Sequence, residues 1–250
     1  MRFRLGSLLA RLSQHQNRRR AAAALGFTFK RSREFEAPSC LCVMGHEHDL
    51  HLPSNRGTQI AFLDILLDDC YGLRDFPDGV VSVLDIGAHA GLFSLAARMR
   101  FPRAEIHAYE PNPEMLPFLH PQSRMGNFCV FPEAVGLTSG QVRIVGGEDS
   151  VHAKVVPDPE SNIKCTSFAD AIARLLKTPI LVKLDCEGAE WEIVRDTIPW
   201  QRVEYLTMEY HLWAGYTLIE LGRQIESLGF VIKSLTNTEN TFGILIAQRV

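Results

Sequence analysis

The stretch VVSVLDIGAHAGLFSLAARMRFPRAEIHAYEP, residues 80–111, constrains the fold of this chain more than any other. Its first eight residues form a continuous apolar run that ends in turn chemistry, which predicts a buried parallel strand. LFSLAARMR has helical patterning, and AEIHAYEP reads as a second strand. In open α/β sheets a ligand lies beyond the carboxyl ends of the strands, where Asp85-Ile86-Gly87-Ala88-His89-Ala90-Gly91 falls. Gly87 and Gly91 let the backbone turn sharply and approach a ligand that Cβ atoms would block. The helix that follows brings its free N–H groups to the same place.

Two nucleoside ligands fit such a loop. A dinucleotide wants G-x-G-x-x-G, whose middle glycine lets the pyrophosphate sit against backbone. Here His89 occupies the middle position and Asp85 stands before the first glycine, a D-x-G-x-x-x-G pattern that favours S-adenosylmethionine (SAM) over NAD. Glu110, about 20 residues on, ends the second strand where a carboxylate accepts hydrogen bonds from ribose hydroxyls. The expected cofactor contacts are Asp85, Gly87, Ala88, His89, Gly91, Glu110, Pro111 and Glu133, with Glu148 or Asp149 near the adenine amino group. The alternative is that Asp85 only caps the helix and Glu110 is a surface acid.

The rest of the chain alternates strand and helix. NFCVFPEAVG reads as a third strand, QVRIVGG as an extra one and PILVKLDCEG as the fourth core strand. RVEYLTMEYH is the fifth, and FVIKSL and FGILIAQR form a terminal hairpin around TNTENT. PEMLPFLHPQ predicts a short helix broken by prolines, and SFADAIARLL, AEWEIVRDTI and LIELGRQIESLG predict further helices, the last closed by Gly229. The expected fold is α/β, a mostly parallel, doubly wound sheet with a C-terminal antiparallel hairpin and a small N-terminal helix and hairpin extension. Residues 1–36 read as a basic leader helix, 37–78 as a hairpin and helix packed on the core, and 79–250 as the cofactor-binding domain.

Charge is unevenly spread. Residues 1–36 carry nine basic and two acidic side chains, leaving 17 basic and 27 acidic in the remainder. An acidic body repels a polyanion, so no nucleic-acid substrate is expected. The basic leader reads as a solvated helix, with a membrane or acidic partner as the alternative. No run approaches the ~20 apolar residues of a membrane span. The six cysteines are scattered and three lie in strand-like text, which suits reduced thiols and a cytoplasmic protein. Cys40, Cys42, His46, His48 and His51 are zinc-type ligands without a standard spacing, and a hairpin around Gly45 explains their alternation more simply.

A second constellation lies in LVKLDCEGAEWE, residues 181–192. Methyl transfer from a sulfonium is an in-line displacement, so a protein chiefly aligns the nucleophile with the methyl carbon. An alcohol nucleophile also needs a base. Asp185 ends the fourth strand at the crevice, and Glu187 and Glu190 follow at the start of a helix, where they could also merely complement its N-terminus. Lys183 sits two residues before Asp185 on the same strand face, as a partner for these acids. Glu209 and His211 end the fifth strand on one side. Asp185, Glu187, Glu209 and His211 are therefore the candidate catalytic groups, and Asp185, Glu209 and His211 could alternatively hold a divalent metal. Glu190, Trp213 and Tyr216 are candidate substrate contacts, with Trp191 and Trp200 as further pocket aromatics and Trp191 better explained by packing.

The K-x-D-x-E-G-x-E pattern of Lys183, Asp185, Glu187, Gly188 and Glu190 resembles the signature of the FkbM family of methyltransferases. The loop at 85–91, the E-P-N-P at 110–113 and the upstream DDCYGL at 68–73 resemble that family too. The resemblance implies a Rossmann-like class I methyltransferase using SAM on a hydroxyl of a sugar or polyketide-like metabolite. Two other functions remain open at this point: a SAM-binding partner protein without catalysis, and an NAD-linked enzyme.

Overall fold

The computed structural model describes residues 2–33, 35–146, 154–212, 215–238 and 241–250, with side chains from Arg11 onward in the first helix and from Val155 in the strand 154–157. Helix α1 (Arg2–Ala24) leads into strands β1 (Cys40–Val43) and β2 (His46–Asp49), then α2 (Arg56–Phe62), which continues as a π-helical turn over Leu63–Leu67. The core runs β3 (Ser82–Ile86), α3 (Leu92–Arg100), β4 (Glu105–Tyr109), α4 (Leu116–Gly126) and β5 (Cys129–Phe131). Next come β6 (Glu133–Gly136), β7 (Gly140–Val145), β8 (Lys154–Pro157), β9 (Ile163–Ser167) and α5 (Phe168–Ala173). The chain closes with β10 (Ile180–Leu184), α6 (Glu190–Ile193), β11 (Val203–His211), α7 (Leu218–Ser227), β12 (Phe230–Leu235) and β13 (Phe242–Arg249).

The apolar runs of β3 and β10 are buried at every residue, as parallel strands covered on both faces must be. The main sheet has the order β12-β13-β11-β10-β3-β4-β5. All its pairs are parallel except those made by β13, which runs antiparallel to both β11 and β12. This is the Rossmann-like class I methyltransferase fold, with strand order reversing between β3 and β10, the switch point beyond which such sheets bind their ligands. Side chains alternate between two cores. Val83, Ile106, Ala108 and Leu181 join α3, α4 and the N-terminal elements, whereas Leu84, Ile86, Val182 and Leu184 join residues of α5, α6 and α7.

Local chemistry accounts for most boundaries. Met44 and Gly45 both have positive φ (54° and 83°), the two-residue turn that closes the expected hairpin. Thr217 and Glu220 form a capping box at the start of α7, and Gly229 (φ 86°) follows its end. Four expectations need correction. The third strand divides at Pro132, which has no N–H to donate: β5 stays in the main sheet, while β6 joins a separate four-stranded sheet ordered β6-β9-β7-β8. Helix α4 continues through Pro121. Arg98 donates to the carbonyls of Gly126 and Asn127 and so satisfies its last turn. The helix expected over 189–198 is only the single turn α6, with β-branched Val194, Thr197 and Ile198 in the text that follows it. Finally, α1 is not simply solvated: Ala22 is buried, as are Leu25 and Phe29 just after the helix, and Arg18 grips Asp68 with two hydrogen bonds. No described helix is long and apolar enough to cross a membrane.

Candidate active site

Strands β3, β10 and β11 end side by side, and their register sets the site. Lys183 pairs with Asp85 on β3 and Thr207 on β11, and the last β10–β11 pair is Leu184 with Met208. The next residues on the two strands are Asp185 and Glu209. Alternation puts Asp85, Lys183, Asp185, Glu209 and His211 on the face that carries Val83 and Leu181. Charged side chains from three strands thus meet at the carboxyl edge of the sheet.

The glycine loop is held from both sides. Gly87 and Ala88 donate to the Tyr109 carbonyl at 3.0 and 2.9 Å. The left-handed φ of Gly87 (79°) is compatible with glycine alone here, since a Cβ would overlap the Asp185 carbonyl oxygen. Gly91 (φ 82°) is similarly confined, with Leu119 Cδ1 at 2.8 Å from a Cβ placed there. His89 adopts φ 48°, and its N–H donates to Glu110 Oε2 at 2.7 Å, while Asn112 N–H donates to Oε1 at 2.8 Å. Burial pushes the Glu110 carboxyl up to about 7 despite these two bonds. Each carboxylate oxygen keeps a second acceptor direction.

Below the loop lies a buried charge network. Asp85 is 0 % exposed, accepts from Ser94 Oγ at 2.6 Å and lies 3.2 Å from Lys183 Nζ. It therefore supports the loop from inside, which differs from the expected direct ligand contact. Lys183 also donates to the Gly87 carbonyl at 2.6 Å and lies 3.5 Å from Asp185 Oδ2. Burial alone would lower the ammonium pKa, yet Asp85 and Asp185 raise it above its ordinary value, so Lys183 stays charged.

The carboxylates divide by environment. Glu190 is 0 % exposed, and its two oxygens accept from Cys186 and Gly188 N–H at 2.7 and 2.8 Å. The expected substrate contact at Glu190 is thus corrected: the side chain seals the turn after β10. That turn contains Glu187 in the left-handed region (φ 56°). Glu187, 14 % exposed at its side chain, is pushed up to about 8 by burial, with Asp185, Glu190 and Glu209 adding to the rise. Glu209, 27 % exposed, is pushed up to about 7 by burial and by Asp185. His211 lies 3.6 Å from Glu190, 3.7 Å from Glu187 and 3.9 Å from Glu209. Burial would lower its pKa, but these acids, Glu190 first, raise it.

The remaining expectations fall elsewhere. Glu133 has its two carboxylate oxygens engaged by Lys164 (2.9 Å) and Arg174 (2.8 Å) on the small-sheet side, so the expected cofactor contact meets an acid already paired. Pro111 is half-buried beside Glu110. Tyr216 stacks on Trp191 (3.9 Å between centroids), whose indole N–H donates to the His211 carbonyl. Trp200 is wholly buried against Phe168 and Phe230, away from any pocket role. Trp213, Glu148 and Asp149 lie outside the described residues. Among the described residues no three His, Cys, Asp or Glu side chains converge to hold a metal ion, neither at Asp185, Glu209 and His211 nor at the histidines and cysteines of β1 and β2. Sequence reasoning missed Tyr71, whose hydroxyl donates to Asp185 Oδ2 at 2.8 Å, although the DDCYGL text around it had been noticed.

The chain is similar in sequence to known methyltransferases. The Methyltransferase FkbM domain model matches residues 85–237, more than half of the chain. Methyltransferase 1 of Beauveria bassiana is 22% identical over 176 residues, covering 58% of this chain and 70% of that protein. Methyltransferase sdnD of Sordaria araneosa is 22% identical over 192 residues, covering 60% and 74%. Among solved structures, a precorrin-6y C5,15-methyltransferase from Geobacter metallireducens aligns with a TM-score of 0.42 at 15% identity, over 81% of this chain and 93% of that one. The match begins at Asp85 in the glycine loop and extends past His211 at the end of the fifth strand, so the chain belongs to the FkbM methyltransferase family.

Proposed function

We propose that this protein transfers the methyl group of SAM to a hydroxyl oxygen of a small or medium metabolite of sugar or polyketide-like type. The residues present fit the cofactor: two left-handed glycines, where a Cβ would strike Asp185 or Leu119, fold the loop into a tight cradle, and the Glu110 carboxylate stands beside it with acceptor capacity to spare. Gly87, Ala88, His89 and Gly91 would line the cradle, with Glu110 taking the ribose hydroxyls and Pro111 beside it. Asp85 and Lys183 hold the loop in shape. When bound, SAM would supply an electrophilic methyl group for in-line attack by the acceptor oxygen, with S-adenosylhomocysteine as the leaving group.

The observation that carries the reaction assignment is the contrast among the acids at the carboxyl edge. Glu190 is sealed by backbone donors, and Asp185 Oδ2 is engaged by Tyr71 and lies near Lys183. Glu187, pushed up to about 8, is mostly protonated at neutral pH. Glu209 combines partial exposure with a pKa of about 7, the match to operating pH that an effective base requires. Glu209 therefore takes the acceptor's hydroxyl proton, with His211, whose pKa the surrounding acids raise, 3.9 Å away. The test is transfer of labelled methyl from SAM to a panel of glycosides and macrolactones. Wild type labels at least one neutral hydroxyl compound, and Glu209→Gln retains SAM binding but loses about 10²–10⁴-fold in kcat. No labelled product across the panel, or a fully active Glu209→Gln, contradicts the assignment.

A further inference from the structure

We propose that Tyr71, which precedes the span matched by the family model, is a positioning residue for Asp185: its hydroxyl fixes one carboxylate oxygen of Asp185 at the crevice. The inference rests on reading that crevice as the methyl-transfer site.

The geometry is specific. Tyr71 is buried, and its hydroxyl donates to Asp185 Oδ2 at 2.8 Å across 114 positions of sequence. Its ring stands edge-on to Phe93 of α3, 5.3 Å between centroids at 84°. The Lys183 ammonium lies over both rings, 5.6 Å from Tyr71 and 5.9 Å from Phe93. Tyr71, Lys183 and Asp185 thus form one packed group in which the phenol and the ammonium approach the same carboxylate oxygen. The other oxygen, on a side chain 26 % exposed, is left to meet solvent or substrate.

The N-terminal segment is built to hold that phenol in place. The π-helical turn over Leu63–Leu67 is followed by Asp69 in the left-handed region (φ 57°), whose carboxylate accepts from Leu73 and Arg74 N–H. Cys70 N–H donates back to the Asp64 carbonyl. Arg18 of α1 grips Asp68, three residues before Tyr71, at 2.7 Å from its Nε. A π-turn, a left-handed aspartate and a buried arginine clamp together specify one conformation of 68–73. Its result at the sheet is the placement of a single hydroxyl. Without that donor, Asp185 would turn toward Lys183 or into the group of Glu187 and Glu209.

Carbon-13 spectra of full-length protein labelled at the aspartate carboxyl carbons test this, with the Asp185 signal identified by its loss in Asp185→Asn. Tyr71→Phe keeps the ring and removes the donor. It should move the Asp185 carboxyl-carbon signal at a fixed neutral pH, since one carboxylate oxygen loses its hydrogen-bond donor, while the signal of exposed Asp170 stays unchanged. Should Tyr71→Phe fail to fold, Phe93→Leu, which frees the ring but leaves the hydroxyl, is read for a smaller shift in the same direction. An unchanged Asp185 signal in the folded variant overturns the assignment. S-adenosylhomocysteine titrated into wild type in parallel separates the two readings: no heat there contradicts the cofactor site, whereas an unshifted Asp185 contradicts only Tyr71.

Discussion

Gly87→Ala is expected to cost at least about 3 kcal/mol of stability and to abolish cofactor binding. Two penalties combine at this position. An alanine at φ 79° is strained, and its Cβ would overlap the backbone carbonyl of Asp185 on the neighbouring strand. A backbone oxygen in a buried parallel sheet has no rotamer by which to retreat, so β3 and β10 must separate or the loop must leave its anchor on Tyr109. Gly45→Ala is the matched control, with φ 83° and open space around the new Cβ. It should lose only about 1 kcal/mol. Urea midpoints of the two variants separate strain from overlap, and equal losses would remove the argument for close strand approach at Gly87.

The second large effect is at Lys183. Lys183→Met removes the only cation, among the described residues, within ion-pair reach of the enclosed Asp85 carboxylate and strips a donor from the Gly87 carbonyl. Breaking a buried pair by deleting one partner leaves an uncompensated charge, at a cost of about 3–5 kcal/mol. The ammonium's folded pKa lies above its unfolded value. Its contribution is therefore complete at neutral pH and is lost only as pH rises through that raised value. Adding Asp85→Asn to Lys183→Met should recover a measurable part of the loss, because the stranded charge then disappears. Strict additivity of the two changes in urea unfolding would contradict the coupling.

These two residues also mark what was legible in the sequence. Asp85 and Gly87 sit in a pattern whose meaning is local, a strand end followed by a turn only glycine can make. The strands of the main sheet were readable for the same reason: runs such as SVLDI and ILVKL have no other comfortable environment. The hairpin at Gly45 and the end of α7 at Gly229 were likewise written in their turn residues. Long-range pairing was not. Nothing local to Tyr71 indicates a hydroxyl on Asp185, and nothing in the basic leader singles out Arg18 as the arginine that docks α1 onto Asp68. The strands β8 and β9 escaped notice because their small sheet buries little, with Ala134, Val142 and Cys165 as its core. Glu190 was misread for a different reason. It was placed at the start of a helix as a substrate contact, but the backbone before it forms a turn with Glu187 at positive φ, and the Glu190 carboxylate lies inside that turn.

Titration calorimetry with S-adenosylhomocysteine and with NAD, at pH 6 and pH 8, tests the central claim most directly. The account predicts one S-adenosylhomocysteine site per chain and no heat from NAD. Burial holds the free Glu110 carboxyl near 7, whereas ribose hydroxyls donate to its ionised form, so binding releases a proton below that value. Affinity should therefore rise about tenfold from pH 6 to pH 8. Glu110→Gln should bind more weakly and lose that rise, although Glu187 and Glu209 titrate nearby in both proteins. Heat from NAD with none from S-adenosylhomocysteine would contradict the account outright.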